Sequence, residues 1–263
     1  MRARAYQHVL NGVRSLIGTR GAQGTEQNSQ QLALAFRDRF VDLARKAVEV
    51  DDPAERRYLF RALTSARFLE LMDRAEAEKA YRTIARNRPD HWLSRMNLAE
   101  MLAKRQDTFD EAIDVLSVQL EPSETLYGLE GAMFRENAFE AAALRANLRV
   151  RRLSELPADK RAAERQLAEA DIARVTARGA NNPRLLLARA GLAMLDEKSV
   201  DAMTLLDRAL ELTTENDLRQ LELRTQIRLQ LADVNLRLQQ TGRARDLLGD
   251  IVRTTGNVPA RRS

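Results

Sequence analysis

A chain of 263 residues with 44% hydrophobic side chains is long enough to bury a sizeable core and permits one or two domains. It has no cysteine, which excludes disulfides, thiolate zinc sites and cysteine nucleophiles together. The pI near 9.9 suggests a nucleic-acid partner, but residues 1–25 hold Arg2, Arg4, Arg14 and Arg20 and no acid, which leaves 39 basic against 38 acidic residues in a nearly neutral remainder.

Taken in order, residues 1–19 have the pattern of a basic amphipathic helix, with Tyr6, Val9, Leu10, Val13, Leu16 and Ile17 toward one side. Packing on the following helices, contact with a membrane surface or organelle-targeting machinery, and a gene boundary are all open readings of it. It does not read as a secretory signal, because Val9 to Ile17 is interrupted by Asn11, Gly12, Arg14 and Ser15. No apolar run approaches the roughly 18–20 residues that span a bilayer, and a cytoplasmic location is expected. Residues 21–31 are polar and glycine-containing, a flexible link.

From Leu32 the helical signal is continuous. Phe36, Phe40, Leu43, Ala44 and Ala47 share one face, and Asp52, Pro53 and Glu55 open a second helix through Tyr58, Leu59, Ala62, Ala66 and Leu69. Its partner carries Ala77, Tyr81 and Ile84 and stops before Pro89. The next pair opens at Asp90 with Trp92, Met96, Leu98, Ala99 and Leu102, and returns through Phe109, Ala112, Ile113 and Leu116. An extra piece at 121–136, with Leu126, Leu129 and Met133 at helical spacing, is weakened by Gly128 and Gly131. A long pair, 138–156 and 158–178, breaks at Pro157. Asn182 and Pro183 then supply a cap and a first-turn proline for a short pair ending near Leu212. The last pair spans about 217–254 with its turn placed at Thr241-Gly242. All six prolines lie at element boundaries, as an all-helical chain requires, and no strand alternation is found.

One spacing recurs: a small residue, three positions, a large one, two positions, an apolar one. It reads Ala77, Tyr81, Ile84; Ala168, Ile172, Val175; Ala202, Leu206, Ala209; Ala244, Leu248, Ile251; and, with a polar third member, Ala112, Leu116, Gln119. The leading alanines are 35, 56, 34 and 42 residues apart, so two gaps match a period near 34 and the longest contains an insertion.

In these residues the chain resembles the tetratricopeptide repeat (TPR) family. Leu231-Ala232 stands twelve residues before Ala244, Leu98-Ala99 precedes Ala112, and Pro89 closes the unit of Ala77; 46–53 and 208–212 are similar to the family's second-helix ending. Gln119 and the 56-residue gap depart from the pattern. The resemblance covers about 32–256 and implies an all-α solenoid of five to six antiparallel helix pairs, flanked by a basic segment at 1–31 and a polar tail at 257–263.

What the resemblance implies for function is a non-catalytic interaction scaffold with a groove lined by first helices, taking an extended peptide or a partner helix. Carried over by position, the groove residues are Glu100 and Lys104 after Leu98, and Asp233 and Arg237 after Leu231. Each pair has opposite charges at i, i+4 and could equally be an intrahelical bond of about 0.2–0.5 kcal/mol. No lysine has Asn four residues later, so the carboxylate clamp found in chaperone-binding members is not expected. The alternative is an acidic or nucleic-acid partner on the hairpin of Arg145, Arg149, Arg152, Arg161 and Arg165, which lacks the aromatics that stack on bases. With only His8 and His91 and no nucleophile, phosphate-loop or metal motif, neither catalysis nor a cofactor or metal is expected. The last pair ends on Leu247, Leu248 and Ile251 without a polar capping helix, which points to self-association or a further domain there.

Overall fold

The computed structural model describes residues 38, 41, 42, 44–46, 48, 49, 56–117, 128–214 and 218–256. The basic segment and link at 1–31, Phe36, Phe40, the cap at 52–55, Gln119 and the tail at 257–263 lie outside them. The chain divides into two compact units, Met1–Pro89 and Asp90–Ser263. Among the described residues all regular structure is helical, and no helix is long and apolar enough to cross a membrane.

In the first unit, α1 (Arg56–Met72) and α2 (Arg74–Asn87) form a hairpin joined by Asp73. Asp73 caps α2, its carboxylate accepting from the amides of Ala75 and Glu76 at 3.1 and 3.2 Å. Ala62, Ala66 and Leu69 of α1 are fully buried, as are Ala77, Tyr81 and Ile84 of α2. Small residues let the two backbones approach while Tyr81 and Ile84 fill the space beside them. Helical residues at 41–48 add buried Val41, Ala44 and Val48. There the Arg45 guanidinium donates to Glu76 at 2.6 Å and, together with Lys79, holds that carboxyl down at about 2.

Among its described residues, the second unit contains four hairpins in succession. These pair α3 (Trp92–Leu102) with α4 (Phe109–Val115), α5 (Gly128–Leu153) with α6 (Ala158–Thr176), α7 (Pro183–Leu195) with α8 (Ser199–Glu211), and α9 (Leu218–Arg237) with α10 (Thr241–Gly256). Each helix packs mainly on its hairpin partner; α5 also packs on α3 and on α7, and α9 packs on α8. Ala146, Val150, Ala168 and Ala188 form one inter-hairpin cluster. A larger one joins Leu206 and Ala209 to Ile227, Leu231, Ala232 and Ala244. Burying each of its large aliphatics contributes about 1.5–3 kcal/mol. This is the all-α, TPR-like array of helix pairs that the resemblance implies.

Several local expectations meet their physical cause. Asn182 caps α7, accepting from the amides of Arg184 and Leu185 at 2.9 and 3.1 Å, with Pro183 in the first turn. Of the piece expected as a separate element at 121–136, residues 128–136 are instead the start of α5, and 121–127 lie outside the described residues. A single glycine at 131 costs only about 1 kcal/mol in a helix interior and does not break it. The turn placed at Thr241-Gly242 lies three residues earlier. Gln239 takes the left-handed conformation at φ 59°, the amide of Gln240 closes on the carbonyl of Asn235, and Thr241 already begins α10.

Candidate protein-interaction face

Several charges on or beside the first helices of the second unit meet one another across hairpins. Arg184, in the first turn of α7, donates to Glu100 of α3 at 2.5 Å, and its Nε stands 3.8 Å from Glu140 of α5. Glu140 also accepts from the side-chain amide of Asn182 at 2.5 Å. Burial raises the Glu140 carboxyl above its ordinary value, with Arg184 and Asn182 opposing that rise. Lys104, just past the end of α3, reaches Glu222 of α9 at 2.5 Å. Four first helices thus bring alternating charge to one face.

Of the sequence-derived groove residues, Glu100 and Lys104 are therefore not an intrahelical pair; each is answered from another helix. Asp233 and Arg237 do bond to each other, at 3.2 Å on α9, and both side chains are 57% exposed. Sequence reasoning missed Arg184, Glu140 and Glu222. Their partners stand 84 residues away for Arg184 and on the far hairpin for Glu222, so no local spacing marks them. The available signal was Arg184 itself, a cation in the first turn of a helix, where the helix dipole disfavours it unless an acid lies near.

The arginine-rich hairpin is built differently. Arg145 forms a two-pronged bond to Asp171 and donates to the carbonyl of Leu116 at 2.8 Å. Arg149 lies 3.8 Å from Glu164 and 3.7 Å from Asp171. Arg152 reaches Asp110 at 2.8 Å, and Arg165 clamps Asp196 at 2.7 and 2.9 Å while also holding Glu169. Arg161 donates to the carbonyl of Leu156. Arg145, Arg152 and Arg165 each bond to a neighbouring hairpin, Arg145 covering the carboxyl end of α4, so these arginines act as struts. A cleft of about 530 Å³ lies beside Arg165, between α6, α7 and α8, floored by Ile172, Leu192 and Leu205 and rimmed by Arg189 and Lys198. Among the described residues no group of histidine or carboxylate side chains is arranged to hold a metal.

His91 caps α3, its Nδ1 accepting from the amide of Ser94 at 3.3 Å, and Trp92 is 8% exposed. Both serve the helix start.

The helix pairs and their small-residue contacts place the chain in the class of TPR-like helical-repeat proteins. No protein-family model and no curated protein matches the sequence. Among solved structures, MamA 41-end from Desulfovibrio magneticus RS-1 is 15% identical, with 80% of this chain and 100% of that one covered and a TM-score of 0.41. The Assembly Chaperone of RpL4 (Acl4), residues 1–338, is 17% identical, with 88% and 97% covered and a TM-score of 0.46. Likeness at this level adds nothing to the functional reading, which rests on the chain's own geometry.

Proposed function

We propose that the second unit is a non-catalytic protein-interaction scaffold that receives an extended peptide or a partner helix along the face lined by α3, α5, α7 and α9. The observation that carries this reading is the convergence of Glu100, Lys104, Glu140, Arg184 and Glu222 from four helices distant in sequence. Charges held on a rigid framework can exchange their internal partners for a ligand's carboxylates, amides and ammonium groups at little reorganisation cost. Asp233 and Arg237, bonded only to each other and open to water, supply the first contacts.

The experiment is selection of peptides from a random display library on the full chain, followed by titration of the selected peptide. Affinity is expected to fall about tenfold or more in Glu100→Lys and in the Asp233→Arg, Arg237→Asp double variant, with helical circular dichroism unchanged. Equal affinity for the parent and both variants counts against this face. Binding of nucleic acid by the arginine-rich hairpin is the weaker reading. Four of its five named arginines already face carboxylates, and phosphate would have to displace those bonds.

A further inference from the structure

The hairpin of α7 and α8 matches that of α9 and α10 in register when 42 is added to each residue number. Helix α8 begins at Ser199 and α10 at Thr241; α7 ends at Leu195 and α9 at Arg237; the left-handed turn residues are Glu197 and Gln239. The positions that hold each hairpin together agree: Ala190 and Ala202 become Ala232 and Ala244, all buried. One core position does not agree. Leu231, fully buried in the cluster that joins α8 to α9, corresponds to Arg189 of α7, a half-buried guanidinium. Apolar packing between helices has no use for a charge at that point, so the arginine calls for another reason.

Arg189 stands at the seam between two core clusters. The cluster of Ala146, Val150, Ala168 and Ala188 leaves Ile172 and Leu192 partly open, and the cluster around Leu206 and Ile227 leaves Ala193 and Leu205 partly open. Helix α6 packs only lightly on α7, whereas α8 packs broadly on α9, so the seam opens between α6, α7 and α8 as the cleft of about 530 Å³. Those four aliphatic side chains line it, and no aromatic side chain of the described residues does. On its rim Arg165 and Asp196 are bonded to each other, and Arg165 also holds Glu169. Arg189 makes no hydrogen bond or ion pair among the described residues, which leaves it and Lys198 against a single further acid, Asp201. The cleft thus offers an apolar floor and a guanidinium whose fork of donors has no acceptor within the described fold.

That combination selects its occupant. A guanidinium takes a carboxylate or a phosphate in a two-pronged bond. A nucleic acid would bring bases with no aromatic to stack on and a run of phosphates that Asp196 and Asp201 repel. A simple aliphatic acid would fill the floor and meet Arg189 but leave Asp201 without a donor. A polypeptide carries all three groups at once, with an aliphatic side chain for the floor, a carboxylate for Arg189 and N–H groups for Asp201.

We infer that the cleft between α6, α7 and α8 is a separate docking site for a polypeptide segment bearing an aspartate or glutamate close to an aliphatic residue. The carboxylate pairs with Arg189 and the aliphatic side chain covers Ile172, Leu192 and Leu205. The site shares no residue with the charged face lined by the first helices. On α7 itself Arg184 and Arg189 are five positions apart, about 140° round the helix, so the two sites occupy different sides of it. The inference therefore holds or fails independently of that face.

The test is selection of short random peptides displayed to the full chain, run in parallel on the parent, on Arg189→Leu and on Glu100→Lys. Arg189→Leu gives α7 the residue that α9 carries at the matching position and keeps an aliphatic stem over the floor. Its helical circular dichroism is expected to be unchanged and its urea midpoint to lie at or above the parent's. Peptides enriched on the parent but lost on Arg189→Leu are expected to carry Asp or Glu within one or two positions of Leu, Ile or Val. Titration of the most enriched of them should show affinity falling about tenfold or more on Arg189→Leu, and by a similar factor when the peptide's acid is replaced by its amide. Peptides lost on Glu100→Lys but kept on Arg189→Leu report on the charged face alone. The inference is overturned if no peptide distinguishes the parent from Arg189→Leu, if the distinguishing peptides lack an acid, or if Glu100→Lys loses them equally. It is also overturned by a lower urea midpoint in Arg189→Leu, which would make the arginine part of the framework, or by a fluorescent oligothymidylate whose binding requires Arg189, which would make phosphate the ligand.

Discussion

Gly191 shows how little room separates successive first helices. A Cβ built there would stand 2.6 Å from Cγ1 of Val150, so α5 and α7 can approach as they do only because this residue has no side chain. Gly191→Ala is expected to lower stability by about 1–2 kcal/mol, the overpacking cost exceeding the roughly 1 kcal/mol that alanine gains over glycine in a helix. Adding Val150→Ala should recover part of the loss, seen as a non-additive double-mutant cycle in urea unfolding. Gly249 is the control. Nothing lies within 4 Å of its missing Cβ, and Gly249→Ala should raise stability by about 0.5–1 kcal/mol. A second residue-scale consequence concerns acid. Glu76 has its carboxyl lowered from an ordinary 4.5 to about 2 by its bonds to Arg45 and Lys79. A group depressed by folding stabilises above its unfolded pKa, and that contribution is lost as pH falls from about 4.5 toward about 2. Glu76→Gln should therefore be less stable than the parent at neutral pH and should lose less on acidification, which urea titrations at pH 7 and pH 3 would reveal.

At the scale of elements, the repeat was legible wherever a position is decided by its immediate neighbours. Alanines 77, 112, 168, 202 and 244 were readable from spacing, and all five are buried at 1% or less, because only a small side chain fits between crossing helices. The Asn182-Pro183 start was readable because a cap is a local device. The turn before α10 was not, since Gln239 rather than a glycine takes the left-handed conformation, and a glycine nearby drew the assignment away. The irregular gaps have plain causes in the helices. Helix α9 starts seven residues earlier than its register with α7 requires, and α5 extends back to Gly128. The charged face was half legible: Glu100 and Lys104 could be placed on it by position, but their partners Arg184 and Glu222 depend on how helices far apart in sequence meet. The paired turns also make a prediction. Glu197 and Gln239 both occupy left-handed backbone at φ 61° and 59°, which disfavours any residue with a Cβ. Glu197→Gly and Gln239→Gly are each expected to stabilise by a few tenths to about 1 kcal/mol, since glycine adopts that conformation freely at a helix end, and thermal unfolding would register the gain.

At the scale of the whole second unit, the question is what fixes the distance between its first and last hairpins. Packing determines each step, through α3 on α5, α5 on α7 and α8 on α9, and small angular errors in each step accumulate along such an array. The ion pair of Lys104 and Glu222 skips those steps and joins the first hairpin to the last directly. Both side chains are near half exposed, so the pair contributes at most about 1 kcal/mol to stability. It is nonetheless placed to narrow the range of separations, because a bond between the ends of a stacked array acts where the small errors of successive packing steps add up. A chain without cysteine allows two to be introduced and labelled with certainty, for instance at Gln106 and Gln226, close to each partner. The distance distribution between the two labels is expected to broaden and shift outward in Lys104→Ala, and to do the same in the parent at about 1 M salt, where the screening length falls to about 3 Å. Helical content and urea midpoint should stay within about 0.5 kcal/mol of the parent. An unchanged distribution under both perturbations would assign the separation wholly to helix packing, and the charges lining this face would then be free to serve a ligand without altering the frame that holds them.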